Sequence, residues 1–279
     1  MKEFDFYGFN KMLKISQREG AEDGKNVIHR LHSHENYEII RILSGKASYQ
    51  VKGLYFSAAE GDIIVIDRNI FHHIMPENEY RRTVISLEHK LLDLFNFKID
   101  LFRCFRLAAE NDSYVISDSV LKQLGLDQKF DTLTGLAQDG NAADNQDVVL
   151  IHIVDILMDI RRAFSNESFR AEYQRDEIIA KIIKYVDENL KSDLSLDKIG
   201  SHLFLSKFYL CHYFKNKTNT SLFSYIQNKR IATAKILLEN GMSAQDASYE
   251  SGFNNYSNFY KAFKKITGYY PTEKRHKKS

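Results

Sequence analysis

Leu205-Ser-Lys-Phe-Tyr-Leu-Cys-His-Tyr-Phe-Lys-Asn-Lys-Thr218 is repeated, in altered form, by Phe253-Asn-Asn-Tyr-Ser-Asn-Phe-Tyr-Lys-Ala-Phe-Lys-Lys-Ile-Thr267. Aligning Phe214-Lys215 with Phe263-Lys264 puts Leu210 on Phe259 and Thr218 on Thr267, an offset of 49 residues with one extra residue in the second turn. Each copy is preceded by a short amphipathic stretch, Ser195-Leu-Asp-Lys-Ile199 and Ser243-Ala-Gln-Asp-Ala247. Each copy therefore reads as helix, turn and second helix, the unit that places a helix in a DNA groove. Leu210/Phe214 and Phe259/Phe263 stand at i and i+4, so they share one inward face. Ser195, Ser206, Ser243 and either Asn254 or Asn255 are the expected N-caps. Between the copies, a helix from about Leu222 to Leu238 closes at Asn240-Gly241 and is long enough to act as a rigid spacer. Before them, Ile178, Ile179, Ile182, Ile183, Tyr185 and Val186 form another amphipathic helix.

Charge supports the same division. Residues 175–279 hold 18 Lys+Arg against 10 Asp+Glu, whereas residues 1–174 hold 21 against 27. A basic end on an acidic body suits a nucleic-acid-binding module joined to something else. The terminal Lys274-Arg-His-Lys-Lys278 contributes part of that excess and reads equally as a solvated tail. The chain of 279 residues can hold two domains. With 2 Cys, Cys104 and Cys211, lacking any ligand spacing, a reducing compartment is expected. No signal peptide and no apolar run long enough for a membrane span is recognisable, so no membrane partner is expected.

Residues 1–90 read as short strands separated by turns: 37–43, 47–51, 54–57, 63–66, 70–74 and 82–86. Residues 91–170 turn helical, from Leu91, Leu92, Phe95 and Phe97 onward, with a surface loop at 138–144. The stretch from Asn145 to Ala163 is apolar on nearly every face, which requires burial within the chain or against a second copy. Ser165 to Arg175 is polar and reads as a linker. The fold class expected is multidomain α+β. A small barrel occupies 1–90, a helical, potentially dimerising segment 91–170, and an all-α double helix-turn-helix domain 175–279.

The spacing His32-x-His34-x-x-x-Glu38, six residues, Gly45, followed by Gly61 eleven residues before His72, resembles the cupin family of β-barrels. That resemblance implies a ligand-holding barrel mouth. In metal-binding cupins the residues matching His32, His34, Glu38 and His72 are the ligands. The sequence departs from the motifs: Asn26 replaces the first glycine, and Asp67, Asn69 and Pro76 replace the second motif's Pro, Gly and Asn. Two readings stay open. The polar set Arg30, His32, His34, Glu38, Arg41, Tyr49 and His72 binds an organic effector with no cofactor, or the three histidines and Glu38 hold a divalent metal.

The C-terminal hundred residues resemble the DNA-binding domain of the AraC/XylS family of bacterial transcription regulators. The matching residues are Leu205-Ser-x-x-Tyr-Leu-x-x-x-Phe-Lys215, Tyr225-Ile-x-x-x-Arg-Ile-x-x-Ala-x-x-Leu-Leu238, Gly252-Phe253 and Tyr256-x-x-x-Tyr-Lys-x-Phe-Lys-Lys-x-x-Gly268, with Pro271 and Arg275 beyond. The resemblance implies a cytoplasmic, non-enzymatic regulator. Its partners would be double-stranded promoter DNA, a small effector (a sugar being the family's commonest), a second copy of the chain and RNA polymerase. By position, Phe208, Cys211 and His212 would face bases from the first reading helix, and Tyr256, Ser257 and Lys261 from the second. Lys207, Lys215, Lys264 and Lys265 are the phosphate candidates. Activation of carbohydrate or other small-metabolite genes is the implied output. The alternatives are a metal-dependent cupin enzyme with DNA-binding appended, and a constitutive DNA-binding protein whose barrel is an interaction surface.

Overall fold

The computed structural model describes residues 3–20, 31–77, 79–94, 99–139, 145–166 and 174–273. Asn26, Arg30, Phe95, Phe97, Arg275, the basic tail, and most of the 138–144 loop and 165–175 linker lie outside them. The chain divides into two compact units, Met1–Gln174 and Arg175–Ser279.

The first unit opens with β1 (Phe4–Gly8) and β2 (Leu13–Gly20), followed by β3 (Tyr37–Ser44), β4 (Lys46–Val51), β5 (Leu54–Ala59), β6 (Ile63–Ile66), β7 (His72–Pro76) and β8 (Tyr80–Leu87). Then come α1 (Arg103–Glu110), β9 (Val115–Ile116), α2 (Asp118–Gln123), α3 (Leu126–Gln138) and α4 (Gln146–Ser165). One antiparallel sheet has the order β1-β2-β8-β3-β6-β9, and β5-β4-β7 form the body of a second. The expected barrel is thus β-rich and antiparallel, but its described strands make two sheets and no closed ring. The first sheet ends at β1 and β9, and residue 32 joins β7 only through a single bridge to His72. The strand expected at 70–74 starts at His72. The strands β1 and β2 were not singled out individually: in β2 the residues turned inward are Leu13, Ile15 and Gln17, and a buried Gln interrupts the apolar alternation.

Alternation along β3 decides what each sheet face does. Tyr37, Ile39 and Arg41 point one way, toward the helices. Tyr37 stacks on Phe102 (4.1 Å between centroids), and Arg41 reaches Asp131 Oδ1 at 2.6 Å with Phe130 beside it. Glu38, Ile40 and Ile42 point the other way, in phase with Ser86, Val84 and Arg82 of the neighbouring β8. The apolar helix expected over 145–163 is α4. Its Val149, Ile153, Ile156, Leu157 and Ile160 are buried against a core that α1 and α3 share, while Val148 and Ile151 are left 41% and 67% exposed.

The second unit contains α5 (Glu177–Glu188), α6 (Leu196–Leu203), α7 (Lys207–Thr218), α8 (Leu222–Glu239), α9 (Ala244–Glu250) and α10 (Tyr256–Thr267). Every one of these helices starts on a side chain that accepts a freed amide: Asp176, Ser195, Ser206, Ser221, Ser243 and Asn255. The choice between Asn254 and Asn255 goes to Asn255, whose oxygen accepts from Asn258 N at 3.0 Å. The repeat extends to side-chain detail. Thr218 and Thr267 each donate to the carbonyl four residues back, at Phe214 and Phe263, and each accepts the amide two residues on. The turn position requiring a left-handed backbone is Phe204 (φ 56°) in the first copy and Gly252 (φ 94°) in the second. Ser206→Ala, which strands the Tyr209 amide held at 3.2 Å, is expected to cost about 1 kcal/mol, measured by urea denaturation.

Candidate nucleic-acid interface and effector site

The pattern that buries one face of each reading helix exposes the other. On α7, Leu210 and Phe214 are fully buried, and Phe214 packs on Tyr225 of α8 at 5.3 Å. The opposite face carries Phe208, 82% exposed, lying parallel to the His212 ring four residues on. Asn216 Nδ2 approaches His212 Nε2 at 3.0 Å, so the imidazole is oriented from below. Cys211 is partly exposed beside them, and Lys215 is exposed. Lys207, at the first turn, is paired with Asp197 of α6 at 3.0 Å.

On α10, Phe259, Ala262 and Phe263 face inward, whereas Ser257, Lys261 and Lys265 are exposed on the other side. Tyr256 is half-buried against Phe259 and Tyr260. Lys264 is held back: its Nζ donates to the Gly268 carbonyl at 2.7 Å and sits 4.3 Å from the Tyr270 ring centroid. That ammonium completes the C-terminus of α10, where a positive charge opposes the helix dipole. Lys261 and Lys265 are thus the cations on the outward face of α10, and Lys215 is one on that of α7.

In the first unit the structure gathers four of the expected effector residues. The backbones of His32 and His72 exchange two hydrogen bonds, at 3.0 and 2.9 Å, which sets their rings 4.3 Å apart. Because His34 stands two residues after His32, its ring falls on the same side, 5.0 Å from that of His72. Glu38 closes the group, with Oε2 3.0 Å from His34 Nε2 and 3.8 Å from His72 Nε2. Burial pushes the Glu38 carboxyl upward, but His34, His72 and His32 outweigh it and hold it down at about 2. Burial lowers the His34 pKa, and the Glu38 carboxylate more than reverses this, so His34 titrates above the ordinary range. Burial and the neighbouring His32 together drive His72 down to about 3.

Tyr49 joins this interior from the other sheet: it is fully buried, stacks on Phe56 at 5.6 Å, and its phenol is pushed far up by burial and by Tyr80. Tyr80 and Arg82 complete the group, the guanidinium lying 5.0 Å from the tyrosine ring centroid. Sequence reading missed both. Their signal was register: they continue the inward phase of β8 from Ser86, which pairs with Glu38. Arg41 is not brought there; its side chain leaves by the opposite face of β3 toward α3. Arg30 lies outside the described residues.

Two family models match the chain, one described as a helix-turn-helix domain over residues 199–277 and one as an AraC-like ligand binding domain over residues 19–139. Among curated proteins, the chain is 22% identical over 251 residues to the HTH-type transcriptional regulator YdiP of Escherichia coli, covering 88% of this chain and 80% of that one. It is 24% identical over 251 residues to the Msm operon regulatory protein of Streptococcus mutans, covering 86% and 84%. Among solved structures, the AraC-like transcriptional activator CuxR aligns at 14% identity with a TM-score of 0.39, over 86% of this chain and 82% of that one.

Proposed function

Because the chain belongs to the AraC family of transcription regulators, a family of ligand-responsive DNA-binding proteins and not of enzymes, we propose which residues read DNA, which take the effector and what the output is. DNA and a small effector are its partners. The observation that carries the DNA reading is the pair of exposed faces, Phe208/Cys211/His212 on α7 and Ser257/Lys261 on α10, each backed by a buried Leu/Phe or Phe/Phe pair. These faces enter successive major grooves, about one turn or roughly 34 Å apart. Lys261 donates to guanine O6 or N7. Phe208 and His212 offer an apolar, planar surface suited to thymine methyls. Tyr256, at the start of α10, faces the bases beside Ser257 and Lys261, and Lys215 and Lys265 hold phosphates. Lys207 joins them by exchanging Asp197 for a phosphate, whereas Lys264 serves the helix end.

The effector enters the first unit at His32, His34, Glu38, Tyr49 and His72, a group dense in donors and acceptors of the kind that a polyhydroxylated metabolite such as a sugar satisfies. Effector binding shifts the regulator between states through differential affinity. The exposed Val148 and Ile151 of α4 support a homodimer in which this helix meets its copy. The output is activation through RNA polymerase in the bacterial cytoplasm.

Lys261→Ala tests the DNA assignment. Binding of the full chain to its operator should weaken by roughly tenfold to a hundredfold, with preference relaxed at one base pair. An equal loss on every sequence would make Lys261 a phosphate contact instead.

A further inference from the structure

We propose that the effector of this chain carries a carboxylate, which Arg82 recognises together with the phenols of Tyr49 and Tyr80. The proposal rests on the effector reading above and narrows it from a neutral polyol to a small hydroxy acid. Directly opposed residues of an antiparallel pair share a sheet face, so Arg82, opposite Ile42 of β3, looks into the same interior as Ile40 and Glu38. Tyr80 stands two residues before Arg82 and takes the same face. Tyr49 enters from β4, on the face of Val51 and therefore of His72, the residue opposite Val51.

Arg82 is a cation without a counter-ion. A guanidinium keeps its proton inside a protein. Nη1 of Arg82 is closed off from solvent and has no hydrogen-bond partner among the described residues. Its Cζ lies 5.0 Å from the Tyr80 ring centroid, a contact that orients the charge without neutralising it. Acidic side chains on the same sheet face are engaged elsewhere: Asp5 meets Arg18 at 2.5 Å and Lys14 at 3.3 Å, and Glu38 meets His34 at 3.0 Å. A buried, unpaired cation is strongly unfavourable, and an anion from outside the chain relieves it. The phenols complete the site. Tyr49 and Tyr80 are fully buried with their hydroxyls near each other, but neither hydroxyl has a hydrogen-bond partner of good geometry. Burial pushes both phenols up and the Arg82 charge draws each part of the way back, so both stay neutral O–H donors beside the guanidinium. A planar carboxylate takes the guanidinium fork through two oxygens and accepts from the phenols with its remaining lone pairs. One unpaired cation matches one negative charge, which favours a carboxylate over a doubly charged phosphate. The Glu38 charge is felt by both phenols, so hydroxyls of the same molecule fall to Glu38 and His34.

The test melts the full-length protein in sodium formate and in sodium chloride of equal ionic strength, followed by circular dichroism. Formate is a bare carboxylate, so it reports on the anion site whatever the rest of the effector is. The expected result is a higher melting temperature in formate than in chloride, because a ligand of the native state stabilises it. The difference should disappear in Arg82→Met, which keeps an apolar stem and removes the charge. Because that charge is unpaired, Arg82→Met in chloride should melt at or above the wild-type temperature. No formate shift in the wild type, a shift retained in Arg82→Met, or a variant that melts well below the wild type in chloride overturns the proposal. A larger shift with inorganic phosphate than with formate, lost in Arg82→Met, also overturns it, in favour of a phosphoryl group. Operator affinity is a separate readout. A response to arabinose or galactose that survives Arg82→Met, with no formate shift, removes the carboxylate and leaves the effector reading standing. A formate shift lost in Arg82→Met, with operator affinity unmoved by formate, supports the anion site while counting against its role in switching.

Discussion

Gly252→Ala is expected to destabilise the DNA-binding unit by roughly 3 kcal/mol. Two causes add. The backbone at Gly252 has φ 94°, where an L side chain costs about 1–2 kcal/mol. A Cβ there would also lie 2.2 Å from the Leu190 carbonyl oxygen and 2.9 Å from Arg230 Nε. That oxygen accepts from Arg230 Nε at 3.1 Å, while Arg230 Nη2 donates to Ser192 O at 2.7 Å. The methyl group therefore pushes on the latch that ties the segment after α5, the spacer α8 and the second turn together. Gly241→Ala is the control. Its φ of 88° is similar, but nothing lies within 4 Å of its added Cβ, so only the conformational cost of about 1–2 kcal/mol applies. The chain has no Trp, so circular dichroism in urea is the measurement. Equal midpoints for the two variants would show that the close approach at Leu190 costs nothing.

The two halves of the chain differ in how openly their sequences speak, and the reason is physical. A reading helix needs a core pair at i, i+4, a cap and a left-handed turn, all within about fifteen residues. Leu210/Phe214 with Ser206, and Phe259/Phe263 with Asn255, supply these locally, and α7 and α10 lie where that pattern puts them. The caps at Asp176 and Ser221 went unnoticed because no repeat marked them. In the first unit the information is non-local. The meeting of His32 with His72 depends on a bridge across forty residues, and only the paired spacings, His32-x-His34-x-x-x-Glu38 and Gly61 eleven residues before His72, foreshadowed it. Arg41 illustrates the limit. It stands three residues after Glu38, and an odd offset in a strand sends it to the other face, where Asp131 holds it. That the strands form two sheets and not a closed ring was not legible either, since strand pattern gives a face to each residue but says nothing about which edges pair.

Phe263→Ala should cost about 3–5 kcal/mol, the usual range for emptying a buried phenylalanine site. Phe263 is fully buried between Phe259 (5.4 Å) and Tyr269 (5.5 Å), in a cluster whose other buried members are Ile231, Ala234, Phe253, Phe259 and Ala262. Two of those five are alanines, so little side chain is available to move into the void. A loss of that size is a large share of the 5–15 kcal/mol that a domain commonly has. Phe214 is the counterpart in the first copy, yet it packs on Tyr225 and belongs to a different part of the unit. The two substitutions should therefore be distinguishable on DNA. With Phe263→Ala, nuclease protection should fade over the segment read by α10 and persist over the segment read by α7; Phe214→Ala should do the reverse. Helix α8 supplies the reason: Tyr225 packs on Phe214 of the first copy, whereas Ile231 and Ala234 belong to the second copy's cluster, so the spacer separates two small cores instead of merging them. If either substitution abolishes both protected segments in one step, α8 transmits unfolding from one core to the other, and the two reading helices stand or fall as a single cooperative block.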